Sequence, residues 1–320
     1  MYANSRSHNF FAYDLDYSAV VLSTWAFAEL RYDFCRLSSL SKRDLSFHVL
    51  YMRHTYGRSK EGEKLFCHKR YYFKLVYNLI RVLYAGDIEV FVLFLLPGRE
   101  VVPLVERVND GSRHLKQALK DPEIEIKYVS PQAAPSDFPR TSEELAEYDV
   151  VILSDVGHDT LMLYPGEELY QIGRNRLKEL RSFVEKGGGL AFCGGWLSYQ
   201  GHFGHGRWYG TPVADMLPVE ILPVPDDRVE APEGAVSSIE NPEHPILEGI
   251  PWGTCPVFLG YNKVGRLRQG ATLLARINDD PLIAVWEYKK GRVMAFTSDP
   301  APHWGSSFAK WEHYPRFWIR

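Results

Sequence analysis

The residue whose type and neighbours most strongly indicate catalytic reactivity is Cys193, within Ala191-Phe192-Cys193-Gly194-Gly195. A cysteine among small residues at the end of a strand has the pattern of a nucleophile elbow, with Cys in place of Ser. The small neighbours allow a sharp turn, and the amides of a following helix stabilise a thiolate. The pattern predicts that Cys193 is a nucleophile. The alternative is that a free cysteine at the end of an apolar strand is a small, inert core residue.

Two partners for this thiol follow a later strand, in Thr297-Ser298-Asp299-Pro300-Ala301-Pro302-His303-Trp304. We predict His303 as the base and Asp299 as the residue that orients it, an arrangement recognised by geometry rather than by sequence spacing. The alternative is structural. In that interpretation His303 packs against Trp304 in a loop that anchors the C-terminal helix, and Asp299 is a turn or cap residue before Pro300.

The strand ends also offer groups that could bind a small molecule. In the catalytic hypothesis, backbone amides near Gly157, Gly194 and Gly195 hold the oxyanion that forms when the thiol attacks a carbonyl group. In the second hypothesis the same crevice is a non-catalytic binding site for a small polar ligand such as a carbohydrate, because aromatic walls and an acid suit sugar stacking. The side chains predicted to contact that ligand are Asp155, Trp196, Tyr199 and Trp304. A loop cap is the structural alternative for Asp155.

No cofactor fingerprint accompanies these residues. His202 and His205 stand close together in Gly201-His202-Phe203-Gly204-His205, with His158 more distant, but a glycine-rich loop without a third ligand is a weak metal signal. The glycine clusters do not give GxGxxG or a P-loop lysine, so the sequence carries neither a dinucleotide nor a nucleoside triphosphate signature. We therefore predict no metal and no cofactor.

The elements that must position these residues alternate between strands and helices from Ile88 onward, as in βαβ units around a mainly parallel sheet. Ligands of open α/β sheets gather at the carboxyl ends of the strands, which places the loops after residues 153, 192 and 297 at one edge. The predicted strands are Ile88–Leu96, Ile124–Val129, Tyr148–Ser154, Gly189–Cys193, Ala271–Ile277, Leu282–Tyr288 and Arg292–Thr297. The predicted helices are Ser112–Lys120, a short one capped by Thr141 and Glu144 and ending at Glu147, Glu167–Lys186 and a terminal one from Phe308 to Trp318, with a loop at Pro131–Pro139.

The N-terminal part has a different character, and we divide the chain into an extension over residues 1–86 and an α/β domain over residues 87–320. Helical spacing of apolar residues from Tyr71 to Tyr84 predicts that the extension is partly helical. Residues 1–85 contain 13 Lys and Arg against 7 Asp and Glu. These basic residues are dispersed among aromatic and aliphatic residues rather than clustered, which disfavours a nucleic-acid-binding arm.

Composition sets the remaining limits. With 320 residues and 45% hydrophobic content, the chain can bury a substantial core. Its longest apolar run, Ile88 to Leu96, is far shorter than a membrane span, and its first residues lack a secretory pattern, so a cytoplasmic location is expected. Four cysteines without a CxxC pair are expected to be free thiols: Cys35, Cys67, Cys193 and Cys255. We expect a small-molecule partner and neither nucleic acid nor membrane, and leave homo-oligomerisation open.

Beyond these patterns, the chain from about Ile88 to its end resembles a known family, the glutamine amidotransferase-like family within the class I glutamine amidotransferase-like superfamily, related to trehalose-utilisation proteins. The segments that carry this resemblance are 148–157, 187–201, Asp226-Asp227-Arg228-Val229-Glu230, 244–250, Phe258-Leu259-Gly260-Tyr261-Asn262 and 298–305. The resemblance implies a flavodoxin-like three-layer sandwich, with the elbow at Cys193 and the His303 loop facing it. Class I glutaminases carry Gly-x-Cys-x-Gly and a later His-x-Glu, whereas Ala191 and Trp304-Gly305 stand at the corresponding places here. The resemblance implies that Cys193 attacks a small carboxamide, and this amidase hypothesis and the binding hypothesis both stay open.

Overall fold

The computed structural model describes residues 47–58, 65–75, 79–95, 102–166, 170–171 and 173–320. At 47–58, 65–75, 89–95, 102–109 and 170 it describes the backbone alone. The chain forms two compact units, Met1–Asn78 and Leu79–Arg320. The described part of the first unit is an antiparallel strand pair, β1 (Phe47–Arg58) and β2 (Leu65–Leu75).

The second unit contains all of the remaining elements. Its strands are β3 (Ile80–Gly86), β4 (Ile88–Leu95), β5 (Val102–Asp110), β6 (Ile124–Val129), β7 (Val150–Ser154), β8 (Tyr164–Pro165), β9 (Tyr170–Gln171), β10 (Gly189–Cys193), β11 (Arg228–Ala235), β12 (Ser237–Ile239), β13 (Phe258–Asn262), β14 (Thr272–Ile277), β15 (Asp280–Tyr288) and β16 (Gly291–Phe296). Its helices are α1 (Arg113–Ala118), α2 (Ala134–Asp137), α3 (Ser142–Leu145), α4 (His158–Met162), α5 (Arg176–Glu185) and α6 (Tyr314–Ile319). Short 3₁₀ turns lie at His202–Gly204, Ala214–Met216, Trp252–Thr254 and Phe308–Lys310.

An eight-stranded sheet organises this unit, in the order β12-β14-β15-β16-β10-β7-β3-β6. The five strands from β16 to β6 are parallel, and β12, β14 and β15 are added antiparallel. Each face of the sheet is covered by its own core, which alternate residues of one strand illustrate. Leu83 and Ala85 lie in one apolar cluster, whereas Val82 and Tyr84 lie in the other. The predicted α/β architecture with a mainly parallel sheet between two layers is confirmed.

The prediction of a helix from Tyr71 to Tyr84 is wrong where the structure describes that segment. Residues 71–75 belong to β2, residues 76–78 lie outside the described part, and β3 occupies the rest. The spacing of Ile80 and Leu83 fits one helical face, but all residues from 82 to 86 are buried. A strand covered on both faces is a continuous apolar run rather than an alternating one, and so its pattern is ambiguous.

Two other segments differ from their predictions. The strand at β4 exists, but it pairs antiparallel with β5 in a separate two-stranded sheet instead of joining the main sheet. The helix predicted over Glu167–Lys186 begins only at Arg176, because the side chain of Asn175 accepts the amide of Lys178 as an N-cap. Before that point β8 and β9 pair, and residues 167–169 and 172 lie outside the described part.

Several local predictions are confirmed. The amide of Glu144 donates to Oγ1 of Thr141 at 3.2 Å, and the Glu144 carboxylate reaches back to the amide of Arg140 at 2.6 Å, although the helix ends at Leu145 rather than Glu147. The predicted loop at Pro131–Pro139 contains the single turn of α2. The three late strands and the β15–β16 hairpin are present, and the terminal helix is divided into a 3₁₀ turn and α6.

Two further findings concern the cysteines and the apolar content of the helices. Among the residues that the structure describes with side chains, Cys193 and Cys255 are free thiols, and Cys35 and Cys67 lie outside that set. Within the described residues, none of the helices has the length and apolar content that crossing a bilayer requires.

Candidate functional site

Four neighbouring parallel strands end at one level, and this shared edge brings the candidate residues together. Gly86 at the end of β3 is in register with Ser154 at the end of β7. Ser154 is in register with Cys193 at the end of β10, and Cys193 with Phe296 at the end of β16. The loops after β7, β10 and β16 are the three that the sequence placed at one edge. Asp87 directly follows β3, so a fourth strand end places a side chain at the same edge.

Cys193 is not on a turn but within the strand, as the last residue of β10. Its side chain is fully buried. Burial raises the pKa of the Cys193 thiol well above its ordinary value, and the negative charges of Asp87 and Asp299 raise it further. Reactive cysteines have the opposite environment, in which positive charge or a helix N-terminus lowers the pKa. Cys193 is therefore held as a neutral thiol in the core.

The backbone amides beside Cys193 already have acceptors. The amide of Gly194 donates to the carbonyl of Phe296 at 2.7 Å and to that of Ser298 at 2.9 Å. The amide of Gly195 donates to Oδ1 of Asn262 at 2.9 Å. An oxyanion site requires donors directed at an empty position. The amides of Gly194 and Gly195 instead form hydrogen bonds that join the end of β10 to neighbouring segments of the protein.

The loop after β7 also has an internal role. Oδ1 of Asp155 accepts the amide of Leu197 at 2.6 Å, and the amide of Asp155 donates to Oγ of Ser198 at 3.1 Å. These two bonds join the loop after β7 to the turn after β10. Gly157 is the N-cap of α4, and its carbonyl accepts the amide of Thr160 at 3.1 Å.

Three aromatic rings form a cluster above the end of β10, and we call Trp196, His202 and His303 the ring cluster. The rings of Trp196 and His202 are stacked, with centroids 4.8 Å apart and an interplanar angle of 16°. The ring of His303 meets Trp196 edge-on at 5.2 Å. All three are half-buried, and the guanidinium of Arg228 lies 4.8 Å from the centroid of a Trp196 ring. The cluster combines apolar faces with nitrogen atoms that can form hydrogen bonds.

Three nitrogens of the ring cluster have no hydrogen-bond partner among the described residues: Nε1 of Trp196, Nδ1 of His202 and Nδ1 of His303. Each is nonetheless buried. An indole N–H is only a donor, whereas an imidazole nitrogen is a donor or an acceptor according to its tautomer. A buried donor that lacks an acceptor costs about 1–3 kcal/mol, so the native site is expected to supply an acceptor from a ligand or water.

The predicted His–Asp pair is brought together. Nδ1 of His303 lies 3.5 Å from Oδ2 of the buried Asp299, whose Oδ1 accepts the amide of Ala301 at 2.7 Å. This separation is an ion-pair distance rather than a well-formed hydrogen bond. The structure thus brings together two members of the predicted triad and keeps the thiol in the core.

Two of the predicted ligand-contacting rings are fully buried. The ring of Tyr199 packs edge-on against Phe192 at 5.0 Å. The ring of Trp304 is covered by His303 at 5.1 Å, and its Nε1 donates to Glu230 at 3.0 Å. Their location within the core and against other rings fits a supporting role, and leaves Trp196 as the half-buried aromatic of the predicted set.

Three residues near this edge escaped sequence reasoning. Asp87 is buried and accepts hydrogen bonds from Oγ of Ser154, at 2.9 Å, and from the hydroxyl of Tyr84. An acid directly after a strand was the available signal, and the mistaken helix over β3 concealed it. Asp227 and Asn262 are also buried. They entered the sequence analysis only as members of motifs, because no local pattern reveals which loops they join.

The two neighbouring histidines that gave the weak metal signal in the sequence lie in the loop after β10. His202 and His205 have ring centroids 6.4 Å apart. The structure describes no cluster of three or more His, Cys, Asp or Glu residues that could hold an ion.

Comparison with known proteins now gives the family. The family model described as "Putative glutamine amidotransferase" matches residues 102–320, more than half of the chain. The chain belongs to this family. Among curated proteins, none matches it. The resemblance to the glutamine amidotransferase-like family that was inferred from the sequence motifs is confirmed.

Two solved structures of Salmonella typhimurium proteins, each described as a cytoplasmic protein, are similar to this chain. The first is 34% identical, covers 75% of this chain and 96% of its own length, and has a TM-score of 0.69. The second, from strain LT2, is 34% identical with the same coverage and has a TM-score of 0.68. The described α/β unit therefore has the fold of these two proteins over nearly their whole length.

Proposed function

We propose that this protein binds a small polar ligand at the ring cluster and does not use Cys193 as a nucleophile. The observation that carries the proposal is the group of three buried nitrogens without a hydrogen-bond partner, Nε1 of Trp196 and Nδ1 of His202 and of His303. A ligand with an acceptor oxygen beside the indole N–H would remove the cost of that buried donor. Few, well-placed polar groups in a partly apolar crevice are typical of small-molecule sites.

The charges around the cluster favour a neutral ligand. Arg228 is paired with Asp226 at 2.9 Å and with Glu230 at 3.2 Å. Asp299 adds a third carboxylate beside His303. Three carboxylates against one guanidinium disfavour an anion, and the indole N–H requires an acceptor oxygen in the ligand. A carboxamide or a hydroxyl-bearing molecule such as a sugar satisfies both conditions.

A thiol-dependent amidase requires features that Cys193 lacks. Its pKa is raised by burial, and the amides of Gly194 and Gly195 are engaged with protein acceptors. These facts favour binding over amide hydrolysis at the thiol. The cytoplasmic description of the two Salmonella relatives supports the same location for this chain.

The experiment pairs a binding assay with an activity assay on the full chain. Isothermal titration with L-glutamine and with a set of mono- and disaccharides is expected to give saturable binding to a member of one class. Trp196→Phe retains a ring and removes Nε1, and should weaken that binding about tenfold, the effect of losing one hydrogen bond worth ~1.4 kcal/mol. Trp286→Phe is the matched control, because Nε1 of Trp286 donates to Met216, on a different part of the sheet.

Two results would contradict the proposal. The first is ammonia release from glutamine by the wild-type protein that disappears in Cys193→Ser, which would restore the thiol as a nucleophile. The second is binding that is unchanged in Trp196→Phe, which would place the ligand elsewhere. Absence of binding across both compound classes would also reject the ring cluster as a site for neutral ligands of this kind.

A further inference from the structure

A buried pair of polar side chains lies beneath the ring cluster. Asn262 ends β13, and Asp227 directly precedes β11. Both are buried, and Nδ2 of Asn262 donates to Oδ1 of Asp227 at 2.9 Å. Because β11 and β13 pair with Arg228 opposite Asn262, the two side chains are adjacent across a strand ladder. We call this pair the Asn262–Asp227 bracket.

The bracket binds the backbone of the turn that follows β10. At the start of the turn, Asn262 accepts the amide of Gly195 at 2.9 Å and donates to its carbonyl at 3.1 Å. At the end of the turn, Asp227 accepts the amide of Gln200 at 2.8 Å and that of Gly201 at 2.9 Å. Both ends of the segment 195–201 are therefore held by one pair of side chains.

The same turn carries two members of the ring cluster. Trp196 follows Gly195 directly, and the amide of His202, next to Gly201, donates to the carbonyl of Trp196 at 2.7 Å. The turn has neither helix nor strand to satisfy its backbone groups. Each buried backbone group left unpaired would cost about 1–3 kcal/mol of stability. The stable path of the turn is therefore the one in which its backbone groups form hydrogen bonds with the bracket.

The bracket is also attached to the opposite wall. The amide of Asn262 donates to the carbonyl of Thr297 at 2.8 Å, directly after β16. The loop that begins there carries Asp299 and His303. One residue thus contacts both the segment that carries the Trp196–His202 stack and the segment that leads to His303.

We propose that Asn262 and Asp227 are positioning residues of the ring cluster, which fix the Trp196–His202 stack and its placement relative to the His303 loop. This inference rests on the proposed function in one respect, which is that the ring cluster is the ligand-binding site. The placement of the rings can be measured without a ligand. A residue with a purely stabilising role would lower the free energy of unfolding without selectively releasing His202.

Carbethoxylation of histidines by diethyl pyrocarbonate, followed by tandem mass spectrometry, tests this on the full chain. In the wild type, the half-buried and stacked His202 should react slowly. In Asn262→Ala and in Asp227→Asn the turn opens locally, and the reaction rate of His202 should rise about fivefold relative to that of His313. His313, in the segment before α6, serves as the internal reference.

Two control variants separate positioning from stability. Asp279→Asn removes one negative charge on an exposed turn, and Leu180→Ala truncates a buried residue of α5. Both should leave the relative rate of His202 unchanged, although Leu180→Ala costs about 2–5 kcal/mol of stability. An unchanged rate in the bracket variants, or an equal rise in Leu180→Ala, would overturn the proposal.

Hydrogen exchange of the wild-type chain keeps the test decisive if both bracket variants fail to fold. The amides of Gly195, Gln200 and Gly201 donate to buried acceptors, and should be protected as strongly as amides within β10. Rapid exchange at these three amides would refute the bracket. The proposed function and the positioning role can fail separately. If the wild type binds none of the tested ligands, while its three amides are protected and His202 reacts faster in the bracket variants, the proposed function is rejected and the positioning role stands.

Discussion

Cys193 is in register with Phe296 of the neighbouring strand, and the ladder continues past the thiol, since the amide of Gly194 donates to the Phe296 carbonyl at 2.7 Å. A nucleophile elbow requires the strand to turn sharply at the nucleophile so that its side chain is exposed. Here the sheet continues for one more hydrogen bond. The reactive-looking cysteine is consequently a part of the core.

Cys193 should therefore resist alkylation. In the native chain at pH 8, iodoacetamide is expected to leave Cys193 unmodified while unfolding in urea exposes it, because the thiol is buried and its pKa is raised. Cys193→Ala should cost about 1 kcal/mol of unfolding free energy, as expected for a small core truncation. Peptide mass spectrometry and urea titration measure the two effects. Rapid native labelling of Cys193 would contradict the buried assignment.

Gly194 marks a close approach that a side chain would disrupt. A Cβ at this position would overlap the carbonyl of Thr297 and lie 2.8 Å from Oδ1 of Asn262. Gly194→Ala should therefore lower the free energy of unfolding by about 2 kcal/mol or more, because backbone atoms of the neighbouring segment must move. Gly253→Ala is the control, since a Cβ there meets nothing within 4 Å. Equal stability of the two variants in urea unfolding would refute this tight contact.

Arg176 is a fully buried cation whose described hydrogen bonds are to carbonyls rather than to carboxylates. It donates to Leu161 at 3.2 Å and to Pro135 at 2.9 Å, and its guanidinium lies 4.0 Å from the ring centroid of Tyr164. Burial lowers the pKa of Arg176, but an arginine side chain stays protonated in proteins. The residue joins α2, α4 and α5.

Removing this connection should be costly. Arg176→Ala is expected to destabilise the protein by about 3 kcal/mol, because it leaves a cavity and two carbonyls without their donor. Arg174→Ala, two residues earlier at an exposed position, should change the unfolding free energy by less than about 0.5 kcal/mol. Thermal and urea unfolding of the two variants give the comparison. Similar values for both would show that the buried guanidinium is dispensable.

Asp226 should make stability depend on acid pH. Hydrogen bonds from Arg228 lower the pKa of Asp226 to about 2, from an ordinary value of 3.8. A carboxyl with a depressed folded-state pKa contributes stability above its unfolded pKa and loses that contribution as pH falls through the folded value. The wild type should therefore exceed Asp226→Asn by about 1 kcal/mol at pH 7. That advantage should disappear between pH values of about 4 and 2.

Urea unfolding at several pH values measures this difference. Asp279→Asn, on an exposed turn, controls for the removal of one negative charge. A difference between wild type and Asp226→Asn that persists unchanged at pH 2 would contradict the assignment of the Asp226–Arg228 pair as its source.

Local signals predicted a large part of this fold. The Thr141–Glu144 cap, the strand at Gly189–Cys193 and the β15–β16 hairpin all follow from residues close in sequence. By contrast, β3 was mistaken for a helix, because a strand buried on both faces lacks the period-two pattern. That one error also concealed Asp87, whose place at the site depends on the strand before it.

The sequence by itself determined the family, the α/β class and the edge of the sheet where the candidate residues gather, since these depend on motifs and on the order of strands and helices. Only the tertiary structure decided the state of Cys193 and the role of Asn262 and Asp227. Burial, strand register and hydrogen bonds between residues far apart in sequence, such as Gly195 and Asn262 at 67 positions, set those properties. Such contacts are made between segments whose proximity exists only once the chain has folded, so no local pattern encodes them.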